Sequence, residues 1–450
     1  MINKKTVFTV LTAVLTAGLI SGCSFMTQET DTQTPTGNTL VVYTWDDEFQ
    51  QVFTNYASDL IPSNISLRWA VTPDSDGAYQ NALDNALSQQ DSLPSNEKVD
   101  IFLINKDFAS KYVNSDNTAD IEGVLGLTSQ DVADQYDYTK VIGTDSTGKL
   151  KAVSWQAEPG MFIYRRSIAK DVLGTDDPEE VQSALSDWDK FDAAAAKARN
   201  KGYSMLSGYD DSYNAFLGSA SDPWVDASGK IQVSSSVKDW IVQTKTYTDK
   251  GYNNKSTQND DQWFKDQGPD GKVFGFFYSP YGINYTMINS SLEIPESSGG
   301  KREKGNGIYG DWAVCQGPQA YLDGGTWIAC ASGSDNKELV AAIMKRLTCD
   351  KDTMKKITEE TADLTNTKTG MKEIAASDYS LDFLGGQNHI AVASEAAQAT
   401  KAVNLTAYDQ VINYNMQTAM ESYFNGSSDE NAAYETFYTG VLKNYPELKK

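Results

Sequence analysis

The chain has 450 residues, with 38 lysines and arginines against 61 aspartates and glutamates, so its formal net charge is −23 at pH 7. Such a surface repels phosphate backbones and anionic headgroups, which argues against nucleic acid or a lipid surface as a partner. Hydrophobic residues make up 40% of the chain, and a folded part of roughly 410 residues is long enough for two or three domains.

The N-terminus has the organisation of a bacterial secretory signal. Two lysines precede an apolar stretch, 7–20, that is shorter than the roughly 20 residues of a membrane span. It leads into Ile-Ser-Gly-Cys, which resembles the lipobox, where the cysteine is lipidated and becomes the new N-terminus. We therefore expect a signal peptide at 1–22, lipid on Cys23 and a flexible tether over 23–38. The alternative is an ordinary secretory signal with an accidental cysteine.

Strand and helix patterns alternate at the start of the folded chain. Strands are predicted at 39–44, 65–70 and 99–104, and helices at 48–60, 78–90 and 106–113. This alternation predicts an α/β domain with a mainly parallel sheet. Ligands of such sheets collect at the carboxyl ends of the strands, and Trp45, Asp46 and Asp47 directly follow the first strand.

The remaining chain continues the mixed pattern. Further strands are predicted at 149–156, 161–164 and 272–278, and helices at 167–174, 188–200, 240–250, 336–348 and 406–424, with another beginning within 175–180. Segment 296–307 is predicted to be an exposed loop. No second segment is long and apolar enough to span a membrane, so we expect the lipid to be the only anchor.

Residues that carry catalysis or bind metals are scarce. The single histidine, His389, argues against a zinc site or a Ser-His-Asp triad, and no phosphate loop, nucleophile elbow or complete calcium loop is present. We expect no cofactor and no metal, with a structural calcium left open. If Cys23 carries lipid, at least one of Cys315, Cys330 and Cys349 is unpaired. A Cys315–Cys330 disulfide stays open, but we expect these to be small buried apolar residues.

Three segments occur in an order and spacing that resemble a known family. They are LVVYTWDD (40–47), KLKAVSWQAEPGMFIYRRSIAKDVLG (149–174) and the return segment 310–348, in which Gly-Gly-Thr-Trp precedes Asn-Lys-Glu-Leu. Together they resemble the carbohydrate-binding extracellular solute-binding proteins of ABC importers, family 1, of the maltodextrin-binding type. The resemblance implies an α/β fold of the periplasmic-binding-protein type, with two lobes, a hinge and several chain crossovers.

The resemblance also implies a division of the chain. The crossings would fall near Ser154 and Asp311. The first lobe would hold 39–153 and 313–360, and the second 157–310 and 365–450.

The function implied by the family is capture of an extracellular oligosaccharide in the cleft between the lobes and its delivery to the permease of an ABC importer. No bond is broken, so the protein is not expected to be an enzyme. We expect a monomer outside the cytoplasm, held on the outer face of the cell membrane by its lipid alone.

Sugar rings stack on aromatic faces, and their hydroxyls need donors and acceptors. Glu158 falls where the resemblance implies a carbohydrate-contacting acid, and Tyr281 lies in a loop that carries a stacking aromatic in relatives. The expected carbohydrate-binding residues are Trp45, Asp46, Asp47, Trp155, Gln156, Glu158, Tyr281, Trp312, Gly325 and Trp327. For some of these residues a structural role is the alternative: helix capping for Asp46 and Asp47, and core packing for Trp155 and Trp327.

Two other functions stay open. Glu158 and Asp47 could serve as the carboxylate pair of a surface glycoside hydrolase. The strand–helix pattern of the sequence, however, does not show the eight regular βα units of a barrel. A receptor for a non-sugar solute, such as a polyamine or a peptide, would also suit the acidic residues.

Overall fold

The computed structural model describes residues 38–402 and 404–450, apart from the side chain of Asp76. The predicted signal at 1–22, the lipid site Cys23 and nearly all of the predicted tether lie outside these residues. Within the described part of the chain, no helix is both long enough and apolar enough to cross a membrane.

The strands form three sheets. They are β1 (Thr39–Thr44), β2 (Ser66–Val71), β3 (Ile101–Asn105), β4 (Ala152–Ser154), β5 (Met161–Arg165), β6 (Leu206–Gly208), β7 (Asn253–Ser256), β8 (Gly275–Tyr278), β9 (Trp312–Cys315) and β10 (Thr326–Cys330). The first sheet has the order β2-β1-β3-β10-β4, the second β8-β5-β9, and β6 pairs with β7 in the third.

The first sheet is parallel only in part. Strand β1 runs parallel to β2 and β3, as the strand–helix alternation predicts. Strand β10 is antiparallel to both of its neighbours, with Trp327 opposite Ile104 on one side and Ser154 on the other. The late strand completes the sheet because the chain returns to it after building the second sheet.

The strand pairing in the second sheet shows that the chain does not cross near Asp311, where the sequence predicted a crossing. Strand β9 pairs with β5, with Val314 opposite Ile163, so 313–315 do not belong with the first lobe. All four residues of β9 are buried, and pairing with β5 satisfies backbone groups that would otherwise lack partners. The crossing therefore falls between Cys315 and Thr326, rather than near Asp311.

The helices surround these sheets. They are Glu48–Tyr56, Ala78–Ser88, Ala109–Val113, Asp137–Ile142, Arg166–Leu173, Pro178–Ala184, Trp188–Asn200, Tyr213–Leu217, Ser235–Lys250, Asp261–Asp266, Pro280–Gly282, Ile288–Ser291, Lys337–Thr348, Lys351–Thr361, Lys368–Ala375, His389–Ala399, Asp409–Phe424 and Glu430–Asn444. Short 3₁₀ turns occur at Ser58–Leu60, Ser75–Gly77, Lys106–Phe108, Glu296–Ser298 and Asp382–Leu384, and a π-helical turn at Ile283–Met287.

Local signals explain several helix ends. Asp177 accepts hydrogen bonds from the amides of Glu179 and Glu180, with proline at the first helical position. Gly174 ends the preceding helix at φ +85°, a conformation that glycine adopts without strain.

The cysteines act as apolar residues. Cys315, Cys330 and Cys349 are unpaired within the described chain, and the first two are buried. The open Cys315–Cys330 disulfide is therefore not formed.

Candidate ligand-binding cleft

The loop after β1 is held against the first sheet by aromatic packing. The half-buried Trp45 meets Tyr79 edge-on at 5.3 Å and Phe108 at 6.1 Å between ring centroids. An Asp46 oxygen accepts the amide of Glu48 at 3.1 Å, so Asp46 does fill a capping role. Asp47 is exposed; its carboxylate accepts a hydrogen bond from the Gln51 side chain, and its backbone carbonyl accepts one from the Gln51 amide.

The segment that follows β4 places Gln156 between two carboxyl groups. Its Nε2 lies 2.6 Å from an oxygen of Glu48 and 3.4 Å from one of Asp363. Gln156 also forms a backbone bridge to Thr365, so the segment after β4 meets the segment around 365 here. The preceding residue, Trp155, is 1% exposed and packs on Phe49.

Glu158 is the most unusual residue of the hinge. It has φ +46°, a left-handed conformation that costs a non-glycine residue about 1–2 kcal/mol. Its side chain is 3% exposed, and Oε1 has no hydrogen-bond partner. Burial raises the pKa of Glu158 well above its ordinary value, and the neighbouring Asp363 carboxylate raises it further. Such strain and unsatisfied polarity are typical of functional sites.

Burial also raises the pKa values of the two acids that share Gln156. For Glu48, desolvation is the main cause and the charge of Asp363 the next, while the hydrogen bond from Gln156 opposes both. For Asp363, desolvation dominates over its hydrogen bonds. Each acid is therefore harder to ionise here than in water.

These acids form one wall of a pocket of about 150 Å³, which we call the carboxylate pocket; its lining includes Asp47, Glu48, Gln51, Tyr281, Tyr285 and Asp363. Another part of the lining is aromatic: Tyr281 and Tyr285 stack with centroids 4.7 Å apart and an interplanar angle of 23°. Burial and the nearby charge of Glu48 raise the pKa of Tyr281. A cavity of about this volume can hold a six-membered ring.

A second pocket, the lysine pocket, has room for about 30 Å³; its lining includes Lys106, Asp107, Asn214, Trp224, Asp409 and Asn413. Lys106 is 5% exposed, and its Nζ donates to the carbonyl of Asp323 at 2.9 Å. The Asp323 carboxylate accepts from Asn214 at 3.2 Å and from the amide of Ser279 at 3.0 Å. Trp224 donates its indole N–H to Asn413.

The predicted role of Trp312 in binding is wrong. The side chain is fully buried beside Phe276 and Phe383, and its Nε1 donates to Ser291 Oγ at 2.9 Å. Strand β9 belongs to the second sheet, so Trp312 faces the core of that region.

Trp327 packs in the core, which is the alternative that the sequence left open. It is 1% exposed and donates its Nε1–H to the carbonyl of Thr139 at 2.8 Å. Gly325 has φ +123°, and a Cβ there would lie 3.2 Å from the Trp327 ring. The glycine thus lets the backbone approach the indole.

Residues 64–380 match the profile of a family described as bacterial extracellular solute-binding protein. The chain belongs to this family. No match was found among curated proteins. The family is one of binding proteins that act outside the cell, which agrees with a cleft rather than a catalytic centre.

Solved structures share the two-lobed fold of this solute-binding protein. An extracellular solute-binding protein of family 1 has a TM-score of 0.72 at 16% identity, covering 90% of this chain and 99% of the other. The ABC transporter associated binding protein from B. animalis subsp. lactis, solved with β-1,6-galactobiose, has a TM-score of 0.66 at 18% identity, covering 91% and 98%. The GacH receptor of Streptomyces glaucescens, solved unliganded and with acarbose, has 0.63 at 14%, covering 91% and 99%. The predicted fold class is confirmed.

Sequence reasoning missed several residues that line the two pockets. Lys106 and Asp107 follow β3 as Trp45 follows β1, so the strand-end argument could have found them. Asp363 carried no local signal, because it reaches the cleft only through the last crossing. The described residues contain no group of three histidines, cysteines or acids suited to hold a metal.

Proposed function

We propose that this solute-binding protein captures an oligosaccharide between its lobes and delivers it to the permease of an ABC importer. The observation that carries the proposal is the carboxylate pocket. It pairs a tyrosine stack with carboxylate and amide groups, the combination that the faces and hydroxyls of a sugar require. The bound sugars named for the B. animalis and S. glaucescens proteins support the same class of ligand.

The proposed contacts are the acids and rings that border this cleft. Glu158 and Gln156 would hold hydroxyls from the hinge, and Tyr281 would stack on a ring face. Trp45, Asp46, Asp47, Trp155, Gly325 and Trp327 remain proposed members, the buried tryptophans as supports for the hinge.

Binding would work by hinge closure. We propose lobes of 39–153 with 326–360 and of 157–315 with 365–450. A ligand that contacts both lobes stabilises the closed arrangement, because it has more partners there than in the open one. A hydrogen bond between the Gln80 and Gln410 side chains would link the two lobes directly in the closed form. Lys106 would link them through Asp323, whose carboxylate is bound by Asn214 and the amide of Ser279.

The attachment to the membrane is also a proposal. Cys23 would carry lipid and hold a monomeric protein on the outer face of the cell membrane. Metabolic lipid labelling should mark the wild type and not Cys23→Ala. Equal membrane association of both proteins would contradict lipidation.

A thermal-shift screen against neutral and charged oligosaccharides tests the proposed ligand class. A cognate sugar raises the melting temperature by mass action, by an amount that grows with its concentration. Prolonged incubation with the same sugar should leave it intact. A panel in which no sugar shifts the melting temperature would contradict sugar capture, and specific release of product would favour the glycoside hydrolase.

A further inference from the structure

We infer that the captured solute carries a protonated amine, as an amino sugar does, and that its ammonium group lies in the carboxylate pocket against Glu48 and Asp363. This inference rests on the proposed function and adds a chemical class to it.

The first observation is that three buried acids have no cationic partner. Glu48, Glu158 and Asp363 form no ion pair with any described residue. The lining of the pocket, within the described chain, includes no lysine and no arginine. The neutral Gln156 is shared between two of the acids, and an amide, unlike a cation, does not favour the ionised form of both.

The second observation is independent of the first. Glu158 Oε1 has no hydrogen-bond partner although the side chain is 3% exposed. A buried carboxyl oxygen without a partner is costly, so native proteins rarely keep one without a functional reason. Glu158 lies beside Asp363, which lines the pocket. An ammonium group has three donors, enough to serve both Glu48 and Asp363, which already share one nitrogen of Gln156.

The aromatic wall suits the same ligand. Tyr281 and Tyr285 stack in the pocket, and Tyr285 is 56% exposed. A cation placed over a tyrosine face is attracted by the ring quadrupole. A neutral sugar could also stack here and donate hydrogen bonds from its hydroxyls, but it would not supply the cation that these acids lack.

The lysine pocket offers a comparison, because there a lysine of the chain itself lies among the acids. There Lys106 lies 3.8 Å from Asp107 and donates to the Asp323 carbonyl. The carboxylate pocket holds acids of the same kind, and the ligand would take the place of the lysine.

Calorimetric titration of the full protein with matched sugar pairs tests the inference. The probes are oligomers of glucosamine and of galactosamine, their N-acetylated counterparts, and spermidine, at a pH where the amines are protonated. We expect at least one amine-bearing sugar to bind about tenfold to a hundredfold more tightly than its acetylated partner, the range of a hydrogen bond to a charged group.

The outcomes separate the two proposals. Equal or tighter binding of the acetylated sugars, or no binding of any amine, would overturn the inference and leave sugar capture to the neutral panel. Binding of spermidine without any sugar would keep the ammonium site and overturn sugar capture.

Variants locate the effect. Glu48→Gln should remove most of the preference for the amine and leave binding of the acetylated sugar within about threefold. Glu97→Gln removes the same charge at an exposed position and should keep the preference. Asp363→Asn serves as a second test if circular dichroism shows that Glu48→Gln is misfolded. An unchanged preference in a folded variant would place the amine elsewhere.

Discussion

The carboxylate pocket and the lysine pocket differ in how their polar groups are satisfied. At the lysine pocket each of these groups has a partner: Lys106 donates to the carbonyl of Asp323, Asn214 to its carboxylate, and the Trp224 indole to Asn413. Only about 30 Å³ stays free. In the carboxylate pocket about 150 Å³ is free and, within the described chain, no lysine or arginine lies among the lining acids; the adjacent Glu158 has a buried oxygen without a partner. The lysine pocket is therefore suited to stabilise contacts within the protein. The carboxylate pocket is suited to bind a ligand whose polar groups the chain does not supply.

The largest effect is expected from Asp409 of the lysine pocket. Burial raises its pKa to about 7, against about 3.9 in the unfolded chain. The folded state therefore binds more protons between these values, and the free energy of unfolding falls as the pH rises through that window. Asp409→Asn should be more stable than the wild type at pH 8, by up to about 4 kcal/mol, and similar near pH 4.

Urea unfolding at several pH values measures this difference. His389 has the opposite effect, because burial lowers its pKa to about 4. The free energy of unfolding therefore falls as the pH drops below the pKa that His389 has in the unfolded chain. Its contribution cancels when variant and wild type are compared at each pH. A constant difference between pH 4 and pH 8 would show that Asp409 is not the titrating group.

The next effect concerns the cation of the same pocket. Lys106→Met keeps the length of the side chain and removes its charge and its bond to Asp323, so we expect a loss of about 2–3 kcal/mol in unfolding free energy. Lys111→Met is the matched control. Lys111 pairs with Asp84 near the surface, and such pairs contribute about 0–1 kcal/mol. Equal losses would remove the distinction that we draw for the lysine pocket.

Glu158 should separate stability from binding. Glu158→Gly relieves a strained φ and an unpaired buried oxygen, so thermal unfolding should show a gain of about 1 kcal/mol. Affinity for the ligand should fall. Lys255→Gly relieves a similar φ of +62° at an exposed residue and should leave affinity unchanged. A Glu158→Gly protein that binds like the wild type would remove this acid from the site.

The smallest effect is expected at the rim of the carboxylate pocket. Tyr285→Ala should weaken binding by about twofold to fivefold, since an exposed cation–π contact contributes about 0.5–1 kcal/mol. Tyr414 is also exposed, at 66%, and lies outside the carboxylate pocket. Tyr414→Ala should therefore bind normally in the same titration.

Much of the fold follows from local patterns. Strand β1 and the helix Trp188–Asn200 have the bounds that the sequence predicts, because alternation and capping act over a few residues. The helix Glu430–Asn444 was not predicted, although Ala433, Phe437 and Val441 carry a four-residue spacing.

The site was harder to predict, because it depends on pairing between distant segments. Trp312 and Trp327 are close in sequence, yet their strands enter different sheets. The sequence pointed to Glu158 through a family resemblance, but not to its left-handed backbone or its neighbour Asp363. These contacts exist only after the chain has crossed between the sheets more than once.

Small-angle X-ray scattering tests the central claim most directly. The sugar that raises the melting temperature most would be added at saturation, with binding verified by calorimetry on the same sample. Closure of two lobes around the ligand predicts a smaller radius of gyration than in the free protein. An unchanged radius at saturating ligand would contradict capture by closure between the lobes.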